Sequence, residues 1–335
     1  MNRQKIAKTF ESIEIHKLKW LMISFCLISF LMGCKPSYPP NTKPVLHTTI
    51  SADGEMVATL LNAGTEQQLL RIRTLNSNSI WRTVAAPPFT QSIRFASEGH
   101  ALLVTYRIPE SNVDVLARLD LEKPDAEIHK IYEAANLAFP VELSPGQILV
   151  RTRRQVAHSV GENRSPGYYW ILIGPERHVQ QDGPESLLPY PAPNIVGMGF
   201  FWTEDQVGKD KEPHPLVLSY PLPNGRAPTY PRERLAKNTW TIECDRAAKR
   251  CLREYIRNLD EIPRADYIYD VEVMFGAERC KLAGVSGFHD GISITPDGKA
   301  AVMALAPAYD KPRRVVIMRF NPQKCEASSV QLINF

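Results

Sequence analysis

A phrase of one kind recurs along this chain: a short apolar segment, a tight turn of the form Ser-x-Asp-Gly, and a second short apolar segment. The turn glycines of the four copies are separated by 45, 47 and 152 residues, and the last gap is close to three further periods. A repeat of about 40–50 residues that carries four short strands is typical of a β-propeller. The copies lie at Thr48–Leu61, Ser92–Tyr106, Pro140–Thr152 and Ser293–Leu305. The roughly 290 residues of 45–335 therefore predict an all-β propeller with six four-stranded blades.

Further short apolar segments follow these phrases and supply the outer strands of the units. They are 68–75 and 80–84 in the first unit, 113–121 and 127–133 in the second, 167–173 in the third, and 313–320 and 328–335 in the last. The domain thus begins with a first strand and ends with a fourth strand. This order predicts a ring that closes without a blade of mixed origin.

The middle of the chain, residues 194–287, has room for two blades but contains no Asp-Gly turn. The assigned segments are 194–202 and 215–222 as the first two strands of blade 4, a charged insertion at 203–214 between them, and a hairpin of 239–244 with 251–256 in blade 5. Residues 264–278 fit either a strand pair or one short helix, because their periodicity does not separate the two. Five or seven blades therefore remain alternatives.

The four Ser-x-Asp-Gly phrases resemble those of the TolB-type six-bladed propeller and its relatives, which include the propellers that cover prolyl oligopeptidase active sites. The likeness covers the phrases themselves and departs at Glu98 and Pro145, where that family more often has Asp. In such a turn the Asp side chain and a glycine that tolerates a left-handed backbone make the tight bend. The motif therefore predicts the fold rather than an activity, since propellers serve many functions.

Residues Trp20–Leu31 form a twelve-residue apolar run near the start of the chain. A relaxed transmembrane helix needs about 20 such residues, so this run is too short for one. It follows the basic stretch 16–19 and ends at Gly33 and Cys34. A charged segment, a short apolar segment and a small-residue boundary are typical of a secretory signal peptide. An uncleaved anchor with an incidental cysteine is the alternative.

The cysteine after Gly33 resembles the lipobox of bacterial lipoproteins. The resemblance implies removal of residues 1–33 as a signal peptide, acylation of Cys34, and a proline-stiffened tether at 34–44. Multiple acyl chains would anchor the protein to a membrane firmly, because two or more chains hold stably where one does not. Lys35 follows the cysteine, where an Asp would imply retention in the inner membrane. By the sorting rule of Gram-negative lipoproteins, this implies an outer-membrane protein that faces the periplasm.

The formal charge of +4 comes mostly from the leader. The whole chain has 40 Lys and Arg against 36 Asp and Glu, and residues 1–33 hold five of the basic residues and two of the acidic ones. The remainder is close to neutral, whereas a nucleic-acid-binding domain keeps an excess of basic residues for phosphate contacts. We therefore expect no nucleic-acid partner.

Four cysteines remain once Cys26 leaves with the leader and Cys34 takes lipid. They are Cys244, Cys251, Cys280 and Cys325. An even number in an oxidising compartment predicts two disulfides, for which three pairings are possible. The polar stretch 245–250 joins two predicted strands and would bring the first two cysteines close, so we favour Cys244–Cys251 together with Cys280–Cys325. Metal ligation is the alternative, but the paired CxxC or CxxH spacing of zinc sites is missing.

The sequence offers no clear catalytic motif. Gly284–Phe288 comes nearest to the elbow of a serine nucleophile, but its spacing is wrong and we interpret it as a loop. The eight histidines are scattered and include no metal-binding pair at helical spacing. A glycine-rich phosphate loop is also missing. We expect no catalytic residue, no metal and no cofactor.

Two groups of residues are candidates for binding. His289 and Asp290 begin the last inner strand, where they could hold a ligand in the channel of the ring; a turn-forming Asp beside a solvated His is the simpler interpretation. Arg151, Arg153 and Arg154 form a basic cluster, and alternate residues of a strand share one face. The cluster fits an acidic partner or an anionic glycan, or simply an exposed strand end.

These features favour a non-catalytic, lipid-anchored propeller of the cell envelope that binds a protein partner, as a scaffold or as an immunity-type inhibitor of a toxin. The insertions at 154–166 and 203–214 are the expected contact loops, since loops on a rigid scaffold commonly carry binding residues. We expect a monomer. The alternative is an enzyme or glycan-binding protein of the envelope that uses the central channel.

Overall fold

Short segments of alternating or continuously apolar residues form the strands of the computed structural model, and its described residues lie in strands, bridges, turns and irregular segments. The described part is residues 45–334 without 63–64, 76–79, 112, 124–126, 154–166, 177, 181–183, 187–192, 208–212, 229–237, 259–267 and 307–313. Within this part there is no helix long and apolar enough to cross a membrane. The predicted signal peptide, Cys34 and the tether lie outside it.

The strands form six antiparallel sheets, which follow one another along the chain as the blades of a propeller. Blade 1 contains β1 (Val45–Ile50), β2 (Met56–Leu61), β3 (Leu69–Thr74) and β4 (Arg82–Val84). Blade 2 contains β5 (Thr90–Phe95), β6 (Ala101–Ile108), β7 (Val113–Asp120) and β8 (Ile128–Ala134). Blade 3 contains β9 (Ala138–Ser144), β10 (Gln147–Arg153), β11 (Tyr168–Ile173), β12 (Val179–Gln180) and β13 (Glu185–Ser186), and the last two both pair with β11.

The second half of the chain supplies the other three blades. Blade 4 contains β14 (Asn194–Val196), β15 (Gly199–Val207) and β16 (Pro213–Pro221). Blade 5 contains β17 (Thr239–Cys244), β18 (Arg250–Ile256), β19 (Tyr269–Phe275) and β20 (Glu278–Lys281). Blade 6 contains β21 (Phe288–Ile294), β22 (Ala300–Ala306), β23 (Arg314–Phe320) and β24 (Ala327–Asn334). Six blades were predicted, and six are present. Four of the sheets have four strands, and the described part has five strands in blade 3 and three in blade 4.

The turn between β1 and β2 shows how the repeated phrase works. Gly54 has a φ of 73°, in the left-handed region that favours glycine. Its N–H donates to the Ser51 carbonyl at 2.9 Å. The Asp53 carboxylate accepts from the Glu55 N–H at 2.9 Å, and the Ser51 hydroxyl accepts from the Met56 N–H at 2.8 Å. The corresponding glycines with positive φ are Gly99, Gly146 and Gly298.

Buried apolar clusters join neighbouring sheets and define the order of the ring. Residues that share a cluster across each junction are Leu60 with Leu102, Leu116 with Ile148, Trp170 with Phe200, Phe201 with Ile242, Leu252 with Met303, and Val302 with Val57. Phe200 and Phe201 are adjacent in β15 and serve opposite faces of blade 4, as the two-residue period of a strand requires. Each sheet therefore packs between two others, and blade 6 meets blade 1.

The ring closes without a shared strand, as predicted. β1 to β4 form one sheet and β21 to β24 another. Side chains join the two blades instead: the Arg319 guanidinium donates to the Gly54 carbonyl at 2.7 Å, and the Trp81 indole N–H donates to the Asn334 carbonyl at 3.1 Å. Closure therefore rests on packing and on these hydrogen bonds.

Blade 4 differs from the sequence-based prediction. The segment predicted as its first strand, 194–202, contains β14 and the start of β15, joined by a two-residue turn at Gly197 and Met198. The segment 215–222 then belongs to the third strand. Residues 203–207, predicted as part of a charged insertion, continue β15. The prediction was wrong because this turn contains neither the Ser nor the Asp of the repeated phrase.

Blade 5 contains the predicted hairpin, but its turn uses different residues. Asp245 stands where blade 1 has Ser51 and blade 6 has Thr295: its carboxylate accepts from the Lys249 and Arg250 N–H groups at 2.8 and 2.9 Å. Ala248 takes the position of the glycine, with a φ of 51°. Residues 264–278 include β19, so the strand interpretation of this segment is correct and the helix interpretation is wrong.

The structure contains the favoured disulfide between Cys244 and Cys251, which are directly opposite each other in β17 and β18. The second predicted bond is not formed, because Cys280 and Cys325 are free thiols. The two are neighbours, but Cys325 is buried and donates its thiol hydrogen to the Val273 carbonyl at 3.1 Å. Burial and the neighbouring Cys280 raise the pKa of Cys325 to about 12.

Candidate functional site

The first strand of each blade lines the central channel and runs from one face of the ring to the other. We call the face where the first-to-second-strand turns lie the hairpin face, and the opposite face, where first strands begin, the loop face. Connections on the hairpin face between first and second strands have two to five residues. Connections from second to third strands leave the loop face and have four to fourteen residues. The two faces therefore differ in how much variable chain they present.

An ion pair crosses the channel close to its hairpin-face end. Arg94 of β5 and Glu243 of β17 belong to opposite blades, and their side chains meet at 2.8 Å. Each lies five residues before the left-handed residue of its own hairpin, Gly99 or Ala248, so the two stand at the same level. The Glu243 side chain is 5% exposed. Burial raises the pKa of this carboxyl although the Arg94 charge opposes it. The pair braces two opposite blades across the channel.

A second carboxylate on the hairpin face is held more completely. Glu142 of β9 accepts from the N–H of Ser97 at 2.7 Å, from its hydroxyl at 2.8 Å, and from the Gly146 N–H at 3.0 Å. Arg118 of blade 2 donates to it at 2.8 Å and to the exposed Glu98 at 2.9 Å. Burial alone would raise the pKa of Glu142, but these donors lower it below its ordinary value. Its acceptor sites are used to join blades 2 and 3.

Arg250 performs the same task between blades 5 and 6. Its guanidinium donates to the carbonyls of Gly298, Asn321 and Lys324. It also lies over the rings of Phe275 and Phe320, at 4.7 and 4.8 Å from their centroids. With Arg118 and Arg319, it makes the hairpin face a set of arginine bridges between blades. These groups are committed to the fold.

The loop face is built differently. The pairing of the first and second strands is irregular close to this face in five blades. A β-bulge bends a strand and redirects a side chain, and bulges are common beside binding sites. The residues at or next to these irregularities are His47, Gln91, Phe139, Trp240 and Gly291.

Aromatic and cationic groups meet at the mouth of the channel on this face. The half-buried His47 ring lies 6.3 Å from that of Phe139, between blades 1 and 3. Burial lowers the pKa of His47 to about 4, so the imidazole is neutral at neutral pH. Arg151 lies over Phe139 at 5.5 Å and over Tyr168 at 4.6 Å. The mouth is thus lined by rings that belong to different blades.

The predicted arginine cluster is divided by the structure. Arg151 is 4% exposed and packs between two aromatic rings, a position in which it stabilises blade 3. Arg153 is exposed at the end of β10. Arg154 lies outside the described residues. The alternation predicted a shared face for Arg151 and Arg153 but could not show that only the second reaches solvent.

The other predicted pair lies on the same face but on the opposite side of the ring. His289 and Asp290 pair with Leu305 and Ala304 at the start of β21. Their side chains are outside the described part of the structure. Blade 3, with the arginines, and blade 6, with this pair, are separated by the channel. The structure therefore places both groups around one mouth without bringing them together.

Two further features of the loop face were not predicted from the sequence. Asp114, which is fully buried, accepts from the Arg107 guanidinium at 3.0 Å and from the Gln91 amide at 3.3 Å. Trp240, at the bulge of blade 5, is 39% exposed, and its ring makes an edge contact with Tyr269 at 5.7 Å. Trp240 is marked as special by its place at a bulge near the start of β17. The bulge is visible in the strand-pairing register but not in the sequence. Among the described side chains, no group of three or more His, Cys, Asp or Glu is placed to hold a metal ion.

No protein family and no curated protein matches the sequence. Solved structures do match the fold. TolB from Acinetobacter baumannii is 13% identical over 94% of this chain and 71% of that chain, with a TM-score of 0.54. The β-propeller domain of the Trilobed protease from Pyrococcus furiosus, which has an open velcro topology, is 13% identical over 88% and 85% of the two chains, with a TM-score of 0.53.

A peptidase has the same fold in part. The acylaminoacyl peptidase from Pyrococcus horikoshii is 11% identical over 88% of this chain, with a TM-score of 0.53, and this chain spans about half (52%) of its length. At these identities the likeness concerns the fold alone. The chain is a six-bladed propeller of the TolB type, and the same architecture serves both TolB and peptidases.

Proposed function

We propose that this protein is a lipid-anchored propeller of the bacterial cell envelope that binds a protein partner through its loop face and has no catalytic role. The observation that carries the proposal is the ion pair between Arg94 and Glu243, which occupies the channel and joins opposite blades. A channel braced in this way leaves recognition to a face of the ring. An enzyme or glycan-binding site inside the channel would require this pair to part.

The loop face has the chemistry of a protein interface. Its longest second-to-third-strand connection follows the exposed Arg153, and its bulged inner strands present Trp240 and Gln91 beside the mouth. Trp, Tyr and Arg are the residues that most often dominate binding energy in protein interfaces. The hairpin face, by contrast, has its arginines and carboxylates committed to bridges between blades.

The anchor and the location are part of the same proposal and rest on the sequence. The lipobox-like Gly33-Cys34, the short apolar run before it and Lys35 after it support acylation of Cys34 and an outer-membrane, periplasm-facing protein. A full-length Cys34→Ala variant should lose incorporation of a labelled fatty acid and its membrane attachment. Unchanged labelling in that variant would contradict the anchor without touching the binding proposal.

The binding proposal is tested with a photo-cross-linking amino acid in the full-length chain, in intact cells. The probe is placed at Trp240 on the loop face, with Met198 as the matched control, because Met198 is 54% exposed at a turn of the hairpin face. We expect a discrete protein adduct from the first position that the second does not give. Adducts from Met198 alone, or from neither position, would overturn the proposal.

A further inference from the structure

The outer strand of blade 6 differs from the outer strands of blades 1, 2 and 5. In blade 1 the outer strand has three residues, and in blade 5 it has four, of which Glu278, Arg279 and Lys281 are charged. β8 of blade 2 is longer but carries Lys130 and Glu133. Short length and charge are the usual means by which proteins prevent an open edge from pairing with another chain. β24 has eight residues, and none of them is charged.

The side chains of β24 are also suited to a partner. Val330 and Leu332 are 42% and 47% exposed and lie on one face of the strand, two residues apart. Ile333 is buried against blade 1. Among the described residues, no strand pairs with the outer edge of β24. The edge therefore combines open backbone with an apolar pair of side chains.

The hydrogen-bonding pattern of blade 6 shows which backbone groups point outward. The Phe320 N–H donates at 2.8 Å to the carbonyl of Lys299, the residue just before β22, so alternate residues of β23 face β22 and the others face β24. The residues of β24 that pair with the second set, such as Gln331, bond inward. Val330 and Leu332 therefore direct their N–H and C=O groups away from the sheet. The Asn334 carbonyl also points outward, as its bond from Trp81 shows.

We propose that the edge of β24 docks a second copy of this chain by antiparallel pairing of β24 with β24 around a two-fold axis at Gln331. In this register Val330 faces Leu332 of the other copy, and Leu332 faces Val330, so four apolar side chains meet on one face. Val330 and Leu332 both direct their backbone N–H and C=O groups outward. Each Val330–Leu332 pair between the two copies is therefore a hydrogen-bonded pair of the ladder. A monomer was predicted from the sequence, and this proposal replaces that prediction.

Charge and symmetry favour a second copy as the occupant. A strand without charge pairs with itself without repulsion, while like charges directly opposite each other destabilise a sheet. Main-chain hydrogen bonds supply the affinity of such strand addition. Two-fold dimers are also the commonest closed assemblies. The interface would join two four-stranded blades into one continuous sheet, with both loop faces left open.

The register is tested by cysteine cross-linking of the full-length chain in intact cells. Gln331 would lie opposite itself in a non-hydrogen-bonded pair, where Cα atoms approach to about 4.5 Å. Gln331→Cys should therefore give a disulfide-linked dimer. Ser328→Cys is the matched control, because two such residues would stand about 20 Å apart, at roughly 3.3 Å per residue. The unaltered chain controls for Cys280 and Cys325. No dimer from Gln331→Cys, or equal dimer from Ser328→Cys, would overturn the proposal.

Affinity is measured by sedimentation of the purified full-length chain in mild detergent. The double variant Val330→Lys/Leu332→Lys places lysines opposite each other, and we expect the dimer to weaken at least about tenfold. Ile128→Lys is the control, because Ile128 is 44% exposed on β8, the outer strand of blade 2. A chain that stays monomeric at every concentration, or a dimer weakened equally by both substitutions, contradicts self-pairing and leaves the edge to a strand of another protein.

Discussion

The two faces of this ring use similar residues for different ends. On the hairpin face, Arg118, Arg250 and Arg319 each reach a group in the next blade, and Glu142 has donors on all sides. On the loop face, inner strands are bulged, Trp240 is partly exposed, and the connections between strands are longer. The two faces thus have different roles. The hairpin face holds neighbouring blades together, whereas the residues of the loop face can vary without breaking these contacts.

The channel resembles the hairpin face, because its charged side chains are also paired between blades. Arg94 and Glu243 meet across it and are shielded from water to different degrees, 25% and 5% exposed. A buried ion pair contributes little over well-packed apolar residues, yet breaking one is costly because it leaves an unpaired charge. The comparison therefore predicts that substitutions in the channel and on the hairpin face act on stability, whereas those on the loop face act on binding.

The largest expected effect comes from breaking the channel pair. Arg94→Ala should lower the free energy of unfolding by about 3–5 kcal/mol, because Glu243 remains buried without its partner. Urea unfolding measures the loss. The double variant Arg94→Met/Glu243→Met is the control and should recover most of the stability. A single variant that loses less than about 1 kcal/mol would show that water already screens the pair.

The pH dependence of that variant has a definite sign. The pKa of Glu243 is raised in the folded protein, so the folded state binds this proton more readily than the unfolded chain. Its stabilising effect as a neutral acid grows as the pH falls toward the ordinary pKa of a glutamate and is lost as the pH rises. The deficit of Arg94→Ala should therefore shrink between about pH 7 and pH 5.

A smaller loss is expected at Glu142. Glu142→Gln should cost about 1.5–3 kcal/mol at neutral pH, because hydrogen bonds to a charged group contribute more than neutral ones. Glu98→Gln is the matched control. It removes the other carboxylate that Arg118 contacts, and because the Glu98 side chain is 55% exposed, it should cost less than about 1 kcal/mol.

The pKa of Glu142 is lowered by folding, so its contribution is present above the ordinary glutamate pKa and is lost as the pH falls through the lowered value. The difference in the free energy of unfolding between the unaltered chain and Glu142→Gln should therefore become smaller at acid pH, as expected for a carboxyl whose pKa is lowered by folding. Equal losses for Glu142→Gln and Glu98→Gln would remove the distinction between a committed carboxylate and an exposed one.

Two opposite substitutions in the hairpin turns, Gly to Ala and Ala to Gly, should each change the free energy of unfolding by about 1 kcal/mol or less. Gly99→Ala should lose about 1 kcal/mol through its φ of 80°, since the nearest atoms to an added Cβ are 3.8 Å away. Ala248→Gly should gain about 0.5 kcal/mol, because relief of the left-handed backbone exceeds the added flexibility of the unfolded chain. Thermal unfolding compares the two. A loss of stability in Ala248→Gly would mean that the alanine is not strained.

The smallest effect on stability is expected on the loop face. Trp240→Ala should change the free energy of unfolding by less than about 1 kcal/mol, because the side chain is partly exposed and its ring meets Tyr269 in an edge contact. Chemical unfolding of this variant beside the unaltered chain measures it. A loss as large as that of Glu142→Gln would place Trp240 among the residues that hold the ring.

Much of the architecture was predictable because its turn chemistry is local. Asp53 and Gly54 lie within one turn, and the same spacing identified four of the six inner hairpins. Blade 5 escaped because Ala248 adopts the backbone of a glycine, and blade 4 escaped because its turn contains neither the Ser nor the Asp of the repeated phrase. The pattern of outer strands was correct to within one or two residues in the first two blades and the last.

The channel pair and the committed glutamate were not predictable from the sequence. Arg94 and Glu243 are 149 residues apart, and only closure of the ring brings their strands to one level. Arg151 was expected as a binding residue because arginines in a strand usually reach solvent. The rings of Phe139 and Tyr168, from strands on either side of β10, bury it instead.

The most direct test of the division between the faces combines two measurements on two variants of the full-length chain. For Glu142→Gln and Trp240→Ala, the free energy of unfolding is measured beside the affinity for the partner recovered by cross-linking. We predict a crossed result: Glu142→Gln loses stability and keeps affinity, while Trp240→Ala keeps stability and loses affinity at least about tenfold. Affinity that falls as far in Glu142→Gln as in Trp240→Ala would contradict the separation of a structural face from a binding face.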